Sequence, residues 1–145
     1  MFTRLLSPPK SPKSHHAKRK AQRYLYGTKV RGARTEKLAR LTQLDGLFLG
    51  NSQITDAGLA HLAGLKQLQQ LHLGRTQVTD AGLKNLKRLK RLQVLWLDDT
   101  KITDAGLVHL ASLNQLRMLY LGGTKVTDAG VEKLQQALPN CGIVL

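Results

Sequence analysis

An α/β solenoid is the fold class this sequence predicts, and three observations predict it. The hexapeptide Ile54-Thr-Asp-Ala-Gly-Leu59 returns as Val78 to Leu83, as Ile102 to Leu107 and, with one change, as Val126 to Val131, so the chain repeats every 24 residues. A fixed period of about 20–50 residues marks units that bury their apolar faces only by stacking on neighbours. Each unit also has alternating leucines, Leu47 and Leu49 in the first and Leu71 and Leu73 in the second. That alternation suits a short strand with one face buried. Behind each T-D-A-G segment, Leu59, Leu62 and Leu65 recur at 83, 86 and 89 and at 107, 110 and 113, a spacing that gives a buried helical face. Such an array makes a surface, and a surface implies binding.

The full pattern over residues 44 to 145, L-x-x-L-x-L-x-x-T-x-I, resembles a leucine-rich repeat. Its T-D-A-G-L segment resembles the GALA-type and cysteine-containing subclass, found in bacterial repeat proteins and in F-box ubiquitin-ligase receptors. The ending Leu138-Pro139-Asn140-Cys141 is similar to that subclass's terminal units. The resemblance implies a right-handed leucine-rich repeat solenoid with short parallel strands on the concave face and helices on the convex face. It implies fold far more than activity, and the ubiquitin-ligase role is not carried over, because no F-box is read ahead of the repeats.

The domain plan follows from where the pattern holds. Residues 44–145 are four units and a terminal half-repeat, in which Ile143 and Leu145 occupy the inward strand positions. Residues 24–43 read as a degenerate capping repeat: Leu25 to Val30 echoes Leu121 to Val126, but Lys20 and Arg23 stand where inward leucines belong. Residues 1–23 read as a disordered basic tail, with almost no apolar content. The decay also admits descent from a longer array. The net charge of +14 is a property of the amino-terminal part, where residues 1–40 hold 12 Lys or Arg against the single acid Glu36. The lone thiol Cys141 favours a reducing compartment, no apolar segment is long enough to span a bilayer, and a cytoplasmic setting is expected; the chain is expected to be a monomer. An Arg- and Ser-rich start is also compatible with an organelle transit peptide.

The polar columns invite chemistry and receive structural readings. Ser52, Thr76, Thr100 and Thr124 stand where the chain leaves the strand, lack a basic partner, and are expected to bond backbone groups of their own or the next coil. Asp56, Asp80, Asp104 and Asp128 each follow a Thr and open a helix, so Thr is expected to cap while Asp meets the helix dipole. Gly58, Gly82, Gly106 and Gly130 cost helix stability, which suggests a close approach or a special dihedral. His61 and His109 do not form a metal site. No enzyme activity and no cofactor are expected.

Binding is therefore assigned to the positions that the repeat leaves free. The strand residues that alternate with the inward leucines are Phe48, His72, Trp96 and Tyr120, and these are expected as an accessible stripe on the concave face. Met118 flanks it, Asp98 and Asp99 follow Trp96, and small Gly50 and Gly74 are expected to leave the rings open. A protein or peptide partner is the expectation, with a cation over Trp96 and no loss of folding when Trp96 is truncated. Arg75 shares a column with Asp99 and is a candidate to pair with it. The Lys84 to Arg91 cluster reads as a solvated outer face. The alternative function is a nucleic-acid or anionic-surface binder acting through Lys10, Lys13, Lys18, Arg19, Lys20 and Arg23 of the tail.

Overall fold

In the computed structural model, which describes residues 21–30 and 33–145, six three-residue strands form one parallel sheet in chain order. They are β1 (Gln22–Tyr24), β2 (Gly46–Phe48), β3 (Gln70–His72), β4 (Val94–Trp96), β5 (Met118–Tyr120) and β6 (Gly142–Val144). The convex side carries α1 (Ala33–Leu38), α2 (Asp56–Leu62), α3 (Asp80–Leu83), α4 (Asp104–Leu107) and α5 (Asp128–Ala137). α3 and α4 run on as single 3₁₀ turns, Lys84–Leu86 and Val108–Leu110.

Register follows the repeat without slippage: Leu47 pairs with Leu71, Leu71 with Leu95, and Leu95 with Leu119. All four are fully buried, as are Leu62, Leu86 and Leu110 from the convex side. The core is thus a stack of leucine layers, each unit covering the next.

The turns off β3, β4 and β5 are fixed by two devices, while after β2 the Ser52 hydroxyl accepts from the backbone N–H of Ile54 at 3.4 Å. Thr76, Thr100 and Thr124 donate their hydroxyls to the carbonyls of Leu73, Leu97 and Leu121 at 2.6 Å, within their own coil. The preceding residue is left-handed, with φ of 54° at Asn51, 57° at Arg75, 54° at Asp99 and 74° at Gly123.

The aspartate column works across coils, and this corrects the expectation that Asp56, Asp80 and Asp104 serve the dipole of their own helix. Asp56 accepts from the backbone N–H of Thr79 at 2.7 Å and from its hydroxyl at 2.5 Å; Asp80 and Thr103, then Asp104 and Thr127, repeat the arrangement. Thr55 and Thr79 make no side-chain cap, whereas the Thr103 and Thr127 hydroxyls accept from the backbone N–H groups of Ala105 and Gly130, as the capping expectation had it. A carboxylate finds two donors on the neighbouring coil, a stronger arrangement than a diffuse dipole contact. The glycines make room for it, because a Cβ at Gly82, Gly106 or Gly130 would collide with the carboxylate of Asp56, Asp80 or Asp104. These glycines have ordinary helical dihedrals, so close approach is their reason.

Gly106→Ala should therefore destabilise the protein. An isolated helix would gain about 1 kcal/mol from that change, whereas crowding Asp80 costs about 1–3 kcal/mol. Urea denaturation should show a lower midpoint at unchanged slope. The same ladder gives an acid dependence: hydrogen bonds from Thr127 hold the Asp104 carboxyl below its usual range. A depressed carboxyl stabilises above its unfolded value, near pH 4, and loses that contribution as pH falls through the folded value. Thermal melts from about pH 6 down to about pH 2, a window that brackets the ordinary carboxylate range, should show Asp104→Asn less acid-sensitive than the parent chain.

Both ends depart from the sequence expectation. Gln22 and Arg23, assigned to the tail, form β1 with Tyr24, so the capping unit starts before residue 24. Arg23 lies opposite Leu47 yet is exposed, because a guanidinium at the inward position of an edge strand turns to water, while Ala21 and Leu25 pack on the core. At the other end Ile143 pairs with Leu119 and packs on the core, but Leu145 is 55% exposed, since no described strand lies beyond β6. Gln135 ties this end together, donating to the carbonyls of Leu138 and Cys141 at 2.8 Å.

Candidate binding face

The expected stripe exists as one column, Phe48 beside His72, His72 beside Trp96, and Trp96 beside Tyr120. Strands about 4.8 Å apart bring flat side chains to stacking distance. His72 and Trp96 stack at 5.3 Å, and Trp96 and Tyr120 at 5.6 Å with their planes 5° apart.

Two residues extend the column beyond the sequence expectation. Tyr24 occupies the same position on β1 and stacks on Phe48 at 4.6 Å. Tyr26 sits 6.3 Å from Phe48 and edge-on to His72 at 5.2 Å. Five of the six Phe, Tyr and Trp residues of the chain thus form one continuous ladder with His72. The signal was available, since Tyr24 aligns with Tyr120 once Leu25 is aligned with Leu121.

Three details of the expected site change. Phe48 is buried at 7% exposure, because Tyr24, Tyr26 and Trp96 close over it, so it supports the face from beneath. Gly50 and Gly74 are filled by side chains: a Cβ at Gly50 would meet the His72 ring and Tyr26, and one at Gly74 would meet Asp98 and His72. Trp96 has His72 on one face and Tyr120 on the other, so it presents ring edge to solvent and offers no free face to a cation. Ring edges carry the positive side of the quadrupole, which suits apolar groups and carbonyl oxygens.

His72, Trp96, Asp98, Met118 and Tyr120 are half-buried; Asp99 is exposed and pairs with Arg75 at 3.3 Å, as their shared column suggested. The backbone N–H of Gly74 donates to Nδ1 of His72 at 3.2 Å. Burial holds His72 below the usual histidine range, an effect partly opposed by the Asp98 charge. It is therefore a neutral, oriented ring at neutral pH. Of the proposed nucleic-acid residues, Arg23 lies on β1, while Lys10, Lys13, Lys18, Arg19 and Lys20 lie outside the described residues. His61 is exposed and His109 partly buried on the convex side.

A right-length repeat, a parallel concave sheet and convex helices define a leucine-rich repeat solenoid, and residues 66–126 match the family model described as leucine rich repeat. Residues 66–126, the stretch that the model matches, read as leucine-rich repeats. Among solved structures, the chain is similar to internalin C2 of Listeria monocytogenes at 38% identity, covering 74% of this chain and 44% of that one with a TM-score of 0.64. Another internalin of Listeria monocytogenes is 24% identical over 75% of this chain and 36% of that one, with a TM-score of 0.51. A leucine-rich repeat protein of Leptospira interrogans is 23% identical over 86% of this chain and 37% of that one, with a TM-score of 0.60. The chain spans less than half the length of each of these. No curated protein matches it. Leucine-rich repeat folds generally mediate protein–protein interaction and are generally non-enzymatic.

Proposed function

We propose that this chain is a non-catalytic binding module that holds a protein partner against its concave strand face. The observation that carries the reading is the aromatic ladder from Tyr24 to Tyr120, whose half-buried His72, Trp96 and Tyr120 give a rigid apolar ridge. Rigid aromatics lose little entropy on binding and rank among interface hot spots. Met118 and Asp98 flank the ridge, and the Arg75–Asp99 pair forms its polar rim. The T-D-A-G-L column supports placing the repeats in the GALA-type subclass, and the buried single thiol of Cys141 fits a cytoplasmic setting.

The alternative face is a shallow apolar groove between α4 and α5, ≈ 500 Å³ in volume, with Val108 57% exposed beside it. Affinity capture with the parent chain, Tyr120→Ser and Val108→Ser separates the two. The concave reading expects Tyr120→Ser to lose partners that Val108→Ser retains, and the reverse outcome refutes it.

A further inference from the structure

The solenoid is electrically two-sided along an axis that the aromatic face does not share. Because the sheet is parallel, every turn that leads from a helix into a strand lies on one edge of the molecule. In the four turns 39–45, 63–69, 87–93 and 111–117, seven Lys or Arg residues stand against the single acid Asp45. In the opposite turns, 49–56, 73–80, 97–104 and 121–128, six aspartates stand against three Lys or Arg. Three of those aspartates are occupied by the threonine ladder. The two edges therefore have opposite sign.

The cationic edge is densest on successive coils: Arg40, then Lys66, then Arg88, Lys90 and Arg91, all exposed. Two are tethered laterally, Arg91 donating to Gln67 at 2.6 Å and Lys90 to Ser112 at 3.2 Å, so the charges hold a row across neighbouring coils. The chain also enters this edge at Ala21, directly after Lys18-Arg19-Lys20 in sequence, and Ala21 bonds the coil beside it through its carbonyl to the N–H of Asp45 at 2.8 Å.

We propose that this edge binds the phosphodiester backbone of a nucleic acid without reading its sequence. Exposed cations on three successive coils, with Lys66 and Lys90 at equivalent positions, suit a polyanion that crosses the coils, and guanidinium groups take phosphate oxygens in pairs. The leucines of these turns, such as Leu65, Leu68, Leu89 and Leu92, are fully buried. Among the described residues, the exposed large hydrophobic ones, Tyr24, Tyr26, Val108, Val144 and Leu145, all lie elsewhere. The edge has nothing to insert into a bilayer, which favours a polyphosphate over a membrane. No aromatic ring lies in these turns to stack on bases, and Gln67 is engaged by Arg91, so affinity comes from counterion release. The inference is independent of the concave-face reading.

The test titrates the full chain with labelled single-stranded RNA and DNA of about 20 nucleotides and two unrelated sequences, over a range of salt. A triple variant, Arg88→Gln with Lys90→Gln and Arg91→Gln, should bind about tenfold or more weakly at ~0.1 M salt. Its slope of log K against log salt should be shallower by about 2, at roughly 0.7 per lost contact on a single strand. The opposite-edge variant, Lys101→Gln with Lys125→Gln, should stay within about twofold of the parent. As a check that needs no variant, amide shifts of the parent chain on adding oligonucleotide should map to the turns 39–45, 63–69 and 87–93. The proposal fails if the triple variant binds as the parent does, if the opposite-edge variant loses as much, if the shifts fall elsewhere, or if phosphatidylserine vesicles bind this edge while the oligonucleotides do not.

Discussion

Leu95→Ala will cost about 2–5 kcal/mol of stability, the largest effect expected of a single truncation in this chain. Leu95 is fully buried and pairs on one side with Leu71 and on the other with Leu119. A cavity there weakens both neighbouring interfaces of a structure whose stability is a sum of such interfaces. Guanidinium denaturation should show the midpoint falling sharply. The same truncation at Ile143, which is only partly buried on the edge strand, should cost less. Partner affinity per folded molecule should survive Leu95→Ala, because the side chain points away from the concave face.

Trp96→Ala is expected to do two things at once. It removes stacking partners on both sides, His72 and Tyr120, each worth about 0.5–1.5 kcal/mol, and it uncovers Phe48, 6.0 Å away. A loss of about 1–3 kcal/mol in stability follows, where the sequence expectation was almost none. If the concave face is the contact face, partner affinity should also fall by about 2 kcal/mol or more. Trp96→Phe separates the two effects, since it keeps a stacking ring while reducing the exposed edge. Denaturation and partner titration on both variants give the comparison.

The period made most of the fold legible, because 24-residue spacing fixes which leucines share a column and hence which strand residues face out. It did not reveal what lies between columns. The close approach at Gly82, Gly106 and Gly130 was readable from three unfavourable helix residues in register, but its partner was not. Asp56 and Gly82 belong to different coils, and a residue's neighbour across a coil follows from stacking and not from local pattern. For the same reason Thr79 was read as a cap when it is a donor to Asp56.

The candidate face was legible in its centre and misjudged at its edge. His72, Trp96 and Tyr120 lie where alternation placed them. Phe48 did not remain accessible because Tyr24 and Tyr26 cover it, and both sit in the unit whose leucines had decayed. The inward leucines identify a strand's phase, and with Lys20 and Arg23 in their place the phase of β1 was hard to see. The two charged edges were hidden for a related reason. Residues 40, 66 and 88 to 91 are scattered along the chain and become a row only when coils stack.

Trp96 is the only tryptophan in the chain, and this offers the most direct measurement of the central claim. The protein labelled with 5-fluorotryptophan carries a single fluorine at the middle of the ladder, visible in a mixture with any unlabelled partner. The concave-face account predicts that a saturating protein partner shifts this resonance and shields it from a soluble paramagnetic agent. A partner that binds fully while the resonance keeps its position and its exposure contradicts the account.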